Sequence, residues 1–403
     1  MEELLTSGKF IKKAIIVYGT IGSGLFTIIQ LVGYFFNNNS PYDKLSTVDK
    51  IIIFLGVTAF IGSIYLVSVL WKKYLELSKK YKEVFEKNEP NSENLSEDSL
   101  VVILNTAYKA EHWKEVVKIG SQLSSPLWYT GKLETRVKIG ELVESAAAIS
   151  GDYYIQAETL LDDLGWTKFR LKKIKDAKNN IKRGLAVAQK YSYNYLIAKG
   201  YRHLADIHLA DACSLWTIRY LDMGNEPLPT NLNEFELKHF TANYDLALQA
   251  AKKIENESKK TEMLGNLQYT FAKYKLVIRE YDDAISAVDK SFNYYANNHD
   301  LERAVKLYNL KGKIQLMSGN ENNAIETFQL GIQKSNEIAN NIHVVTNSLS
   351  LAEYYLREDN YSLSRRMLKT AVNNIQYISD PVLNRRCEEI QLQLNIKGGL
   401  SNE

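Results

Sequence analysis

The sequence predicts an all-α protein: a two-helix transmembrane hairpin followed by an α-solenoid of helix pairs. Three observations carry this. Two uncharged apolar runs lie near the N-terminus, at 14–36 and 51–71. From about residue 98 onward, apolar residues recur at three- and four-residue spacing between short Gly, Asp and Asn turns. Six prolines in 403 residues leave too little turn punctuation for a β-rich chain.

Each apolar run has about the twenty residues needed to cross a hydrocarbon core of roughly 30 Å as a helix. Inside lipid every backbone amide must be bonded within its own segment, so two runs imply two helices. The first run is too long for a cleaved signal peptide, and no small-x-small site follows it. Lys9, Lys12 and Lys13 precede the first helix; Lys72, Lys73, Lys79, Lys80 and Lys82 follow the second. The connecting loop holds only Lys44 and Lys50, each beside an aspartate. Basic residues stay on the cytoplasmic side, so both termini are expected there, in a two-pass cell-membrane protein.

Small residues dot both helices: Gly19, Ser23 and Gly24 in the first, Gly56, Ala59 and Ser63 in the second. Spacing of four lets helix backbones approach closely. This suits packing of the two helices on each other, and equally a homo-oligomer or a lipid-perturbing assembly. No Asp, Glu, Lys, Arg or His interrupts either run, which disfavours an ion or proton path through the hairpin.

A charged juxtamembrane helix is expected to close the anchor, 1–87. Residues 88–99, rich in Asn, Glu, Ser and Pro, read as a linker. The solenoid is then 100–395, ending in a capping helix, and 396–403 a flexible tail.

Self-similarity fixes the architecture of the long region. Ala284, Ala324 and Ser364 stand 40 residues apart, in similar surroundings. Twelve residues before each lies a second small residue: Ala272, Gly312 and Ala352. Seven after each lies a third: Ser291, Gly331 and Ala371. The same trio appears upstream as Gly165, Ala177 and Gly184, and Ala205 follows Gly165 by 40. Small residues are needed where paired helices cross closely and where one pair meets the next. This arrangement resembles tetratricopeptide repeats, in a long variety with a period near 40. Trp113-Lys-Glu, Gly151-Asp152 and Asp163-Leu-Gly-Trp166 are similar to the helical sensor regions that end bacterial signal-transducing ATPases. The resemblance implies a sensor or scaffold; no ATPase domain accompanies it. One unit departs from the pattern. Its first helix is expected to run on past Ala205 to about Asp222, and an insertion at 223–233 follows.

Net charge is only +3, so electrostatic preference must be local. Cys213 and Cys387 stand alone, which excludes a disulfide framework and a cysteine zinc site of ordinary spacing. No nucleophile elbow or phosphate loop is present. His203 and His208 are five apart, where a helical zinc pair needs four. A non-enzymatic chain with no catalytic residue, metal or cofactor is therefore expected.

The notable local feature is basic. Lys168, Arg170, Lys172, Lys173, Lys175, Lys178, Lys182 and Arg183 are opposed by Asp176 alone, a local +7. It reads as a solvated face paired in part with Glu158, Asp162 and Asp163, or as a surface for an acidic protein segment or anionic lipid. Nucleic acid is disfavoured, because no recognised binding motif accompanies the charge.

The leading expectation is a membrane-anchored scaffold or sensor that holds a partner protein or peptide in the solenoid groove. A rival is a sensor-effector of a bacterial antiviral defence system whose hairpins assemble to disrupt the membrane. A third is a regulator that uses the run 168–183 on nucleic acid or anionic lipid.

Overall fold

A residue in left-handed conformation closes ten of the fourteen described helices, and these residues set the rhythm of the fold. They are Glu111, Gly131, Gly151, Lys172 and Ser192, then Arg279, His299, Gly319, Ala339 and Asp359, each twenty or twenty-one residues after the last within its series. Two of them make one 40-residue unit. At each, amides of the turn fold back on the preceding carbonyls, as when Lys172 N bonds Phe169 O and Lys173 N bonds Lys168 O.

The computed structural model describes residues 97–213, 231–297, 299–378 and 380–400. Of these, 86% are helical and none lies in a strand. The chain divides into two compact units, Met1–Leu95 and Ser96–Glu403. The expected hairpin, with Gly19, Ser23, Gly24, Gly56, Ala59 and Ser63, lies outside the described residues. Among the described residues no helix is long and apolar enough to cross a membrane.

The helices are α1 (Glu97–Lys109), α2 (Trp113–Tyr129), α3 (Leu133–Ser150), α4 (Tyr153–Thr159, continuing as below), α5 (Ile174–Lys190), α6 (Asn194–Ala212) and α7 (Glu234–Lys252). They continue with α8 (Glu257–Val277), α9 (Tyr281–Asn297), α10 (Leu301–Met317), α11 (Glu321–Glu337), α12 (Asn341–Arg357), α13 (Tyr361–Ile375) and α14 (Pro381–Leu400). Side-chain caps start many of them. Asp152, Asn256, Asp300, Asn340 and Asn360 each accept the amide three residues on.

Packing explains the small residues. Gly165, Ala177, Gly184, Ala205, Ala272, Ala284, Ser291, Gly312, Ala324, Gly331, Ala352, Ser364 and Ala371 are all buried. A Cβ on Gly312 would stand 2.6 Å from the Phe328 ring of the paired helix. One on Gly331 would stand 2.8 Å from Tyr308 and 2.9 Å from Asn347 of the next unit. The first contact is within a pair, the second between pairs. Ser364 adds a bond to its partner helix, its Oγ donating to Ala352 O at 2.8 Å.

The first helices of successive units also touch one another: α4 and α6, α6 and α8, α8 and α10, α10 and α12, α12 and α14. The principal contacts of the second helices are with first helices. This wedge places the first helices along the inner side of the curve. The array coils far enough that Tyr129 donates to Glu302 Oε2 at 3.0 Å, and Arg170 meets Asp380 at 4.0 Å.

Three boundaries differ from expectation, and one helix carries an irregular turn. α1 begins at Glu97, so the last residues of the expected linker are already helical. α4 is broken by a π-helical turn, Leu160–Trp166, before its last α-turn, Thr167–Arg170. α6 stops at Ala212, with Cys213 as its cap, well short of Asp222; residues 214–230 lie outside the described residues. α14 runs on through Leu400 where a tail from 396 was expected, helped by Leu394, which is buried, and Lys397, which reaches Asp359.

Candidate functional site: the inner face of the first helices

From α6 to α12, the small residue of each first helix is followed by a charge: Ala205-Asp206, Ala272-Lys273, Gly312-Lys313 and Ala352-Glu353. Six residues before the small one, the same register holds Lys199, Asn266, Lys306 and Thr346 in turn, with Arg386 forty residues after Thr346. The two positions are seven residues apart, about two helical turns, so they share one side of the helix and line the seam between neighbouring first helices. The charges there are buried: Asp206 is 3% exposed, Lys273 5% and Lys313 1%.

A buried charge must find a partner, and here the partners come from the next unit. Lys273 Nζ donates to Asp206 Oδ1 at 2.6 Å, and Thr270 Oγ1 donates to the same carboxylate. Arg202 Nη1 reaches Asp206 Oδ2 at 3.3 Å. Burial alone would favour the neutral acid, but Lys273 and Arg202 outweigh it and hold the Asp206 carboxyl below the usual range.

The π-helical turn of α4 delivers two adjacent carboxylates to different partners. Asp163 turns to Arg136 Nη2 (2.8 Å) and Ser124. Burial, opposed by Arg136, leaves its carboxyl raised. Asp162 turns to α6, accepting from Lys199 Nζ at 2.6 Å and facing His203 Nε2 at 2.9 Å. Against the burial penalty, these two neighbours hold Asp162 well below the carboxylate range. Lys199 is raised despite its burial, because Asp162, Tyr195 and Glu158 favour the ammonium.

His203 is 2% exposed and stacks on Trp166 at 4.7 Å. Burial and then Arg202 push it down to about 4, so the ring is neutral at pH 7. A neutral ring that faces a carboxylate through Nε2 carries its proton there, leaving Nδ1 to accept from Arg202 Nη2 at 3.3 Å.

The seam continues through α10, α12 and α14. Tyr195 donates to Glu262 Oε1 at 2.7 Å, and Arg303 reaches Glu262 at 3.0 Å. Asn309 Nδ2 donates to Thr346 O and Ser350 Oγ. Arg386, 3% exposed, grips Glu353 and touches Ser350. The result is a continuous polar lining across successive inner helices.

The basic run sits elsewhere, at the end of α4 and along α5, and much of its charge is matched. Lys168 pairs with Glu141 (3.1 Å), Lys173 with Glu134 (3.1 Å), Lys178 with Asp211 (2.6 Å) and Arg183 with Glu144 (2.9 Å). Arg170 faces Asp380. These partners are not those expected: Glu158 and Asp162 serve Lys199, and Asp163 serves Arg136. Lys172 forms the exposed left-handed turn, and Lys175 and Lys182 are exposed.

His208, Asp211 and Glu236 bring one ligand atom each within 4.8 Å of one another. His208 Nδ1 faces Glu236 Oε2 at 2.6 Å, while Lys178 Nζ already occupies Asp211 Oδ2. The grouping is thus satisfied by protein cations and hydrogen bonds. Glu236, brought in by α7 from across the insertion, had no sequence signal.

No protein-family model matches the chain, and no curated protein matches it.

Proposed function

We propose that the chain is a non-enzymatic interaction protein whose inner face, formed by α4, α6, α8, α10 and α12, binds a partner protein or peptide. The N-terminal hairpin would hold that array at the cytoplasmic side of the membrane. The observation that carries this reading is the lining itself. Tyr195, Tyr269, Lys199, Arg202, Arg303 and Glu262 repeat side-chain types suited to contact at successive first helices. Tyrosines and arginines anchor interfaces because they bring large contact area together with directional hydrogen bonds. Pairing among the buried charges fixes their rotamers before a ligand arrives, which lowers the entropic cost of binding.

The basic run is a weaker candidate for partner binding. Carboxylates from α3, α6 and the start of α14 already neutralise much of it.

The test is affinity capture from the native host with the tagged full-length chain. The reading expects one specific partner, lost when Arg303 and Lys259, an α8 lysine whose Nζ lies 5.4 Å from the Tyr195 ring, are both changed to Glu, and retained when Lys175 and Lys182 are. Capture that ignores the inner pair but fails with the outer pair would move the site to the basic run.

A further inference from the structure

Lys306 breaks the rule that the inner charges are paired. Its ammonium faces Asn266 Oδ1 at 3.2 Å and the rings of Tyr269 (4.6 Å) and Tyr295 (5.1 Å). The amide oxygen is shared, since Tyr295 OH also donates to it at 2.9 Å. Among the described residues no carboxylate pairs with Lys306. Burial, then Arg202, Arg303 and Lys273, push it down to about 7, with Asp300 opposing. Burial among cations disfavours the ammonium, and an anion bound beside it would restore the charge.

The surroundings have the same deficit. Arg202 and Lys273 share the single carboxylate of Asp206. Arg202 Nε is buried without a hydrogen-bond partner. Arg303 is drawn away to Glu262 and Asp300. Lys273 and Lys306 both stand over the Tyr269 ring, 5.0 and 4.6 Å from its centroid, and Lys273 shares Asp206 with Arg202, so nitrogen donors from α6, α8 and α10 stand together with one carboxylate bonded among them. A phosphate monoester carries about −1.5 to −2 at neutral pH and presents three acceptor oxygens. Donors arriving from three helices suit its tetrahedral oxygens better than the planar fork of a carboxylate.

We propose that Lys306, with Arg202 and Lys273, is a seat for a phosphate monoester on the inner face. The phosphate belongs to a phosphorylated peptide or to a free small phosphate ester. The proposal rests on the inner face being the ligand-binding face, and makes phosphate the anchoring group of the occupant.

Calorimetric titration of the full chain in detergent tests it, with inorganic phosphate, a phosphoserine peptide, the same peptide unphosphorylated, and acetate as probes. Both phosphate probes are expected to bind, with the unphosphorylated peptide and acetate at least tenfold weaker. A phosphopeptide advantage over inorganic phosphate of tenfold or more identifies a peptide occupant; equal affinity identifies a free ester. Lys306→Met should weaken phosphate binding at least tenfold. Asn266→Asp, nearly isosteric, should do the same by setting a carboxylate beside the ammonium, and it guards against a folding defect in the first variant. Lys306→Arg should retain binding within a few-fold. Absence of phosphate binding at millimolar concentration, or unchanged binding in both Lys306→Met and Asn266→Asp, overturns the proposal. Either result leaves partner capture at the inner face untouched, so the two readings fail separately.

Discussion

Lys273 Nζ lies 2.6 Å from Asp206 Oδ1, and both side chains are almost wholly buried, so α8 is tied to α6 by an ion pair inside the seam. Thr270 and Arg202 complete the carboxylate's bonds. Removing one partner from such a pair leaves an uncompensated charge, which costs about 3–5 kcal/mol. Asp206→Ala is therefore expected to destabilise the array by that amount. Asp206→Ala with Lys273→Met should recover a large part of it. Denaturant unfolding followed by circular dichroism would show both. Equal stabilities for the single and double variants would mean the pair is not coupled.

His203 gives the array an acid sensitivity. Its pKa falls from 6.5 to about 4 on folding, through burial first and Arg202 second. A depressed folded pKa gives stability that is complete above the unfolded value and lost as pH falls, because the unfolded state then binds the proton more tightly. On its own His203 should weaken the array between pH 6.5 and pH 4 by roughly 3 kcal/mol, and the raised carboxyl of Asp163 opposes part of that loss at the lower end. Asp162 and Asp206, both held low, extend the loss to still lower pH. Melting temperatures measured across this range in wild type and His203→Gln check it. The variant curve should be flatter from 6.5 to 4.

Gly312 should not tolerate a methyl group. Its Cβ would meet the Phe328 ring at 2.6 Å, with helix backbone on the other side. Overpacking of this kind costs about 1–3 kcal/mol. Gly312→Ala is expected to lower stability by that much, and Phe328→Leu in the same chain to restore part of it. Thermal unfolding is the measurement.

Arg279 should improve on exchange for glycine. It sits exposed at φ 64, a left-handed conformation that L side chains resist. Arg279→Gly removes the strain, net of the entropy glycine adds to the unfolded chain, and should stabilise by about 0.5–1 kcal/mol. Gly319→Ala, at φ 81 with open space around the new methyl, should destabilise comparably. Opposite signs at equivalent turns would isolate the backbone contribution.

The repeat was legible because its signal is local and nearly context-free. Ala284, Ala324 and Ser364 are small because a helix crosses there, and no other residue need be known to see it. The charges after Ala205, Ala272, Gly312 and Ala352 were equally visible, yet charges are usually solvated, so nothing in the sequence marked Asp206 and Lys273 as a buried pair. Their meaning depends on a partner 67 residues away. Asp162 and Asp163 were legible only as acids close to the basic run. The π-helical turn that sends one to Arg136 and the other to α6 has no simple sequence signature. The length of α6 was overestimated because apolar and aromatic residues continue past Cys213, and helical periodicity alone does not mark where packing against α7 ends.

Site-specific photo-cross-linking measures the central claim most directly. A photoreactive amino acid would replace Tyr269 on the inner face in one full-length chain, and Leu330, an exposed position of α11, in another. If the inner face holds a partner, irradiation in the native host yields one discrete adduct from position 269 and none from 330. The same adduct from both positions, or from 330 alone, would contradict it.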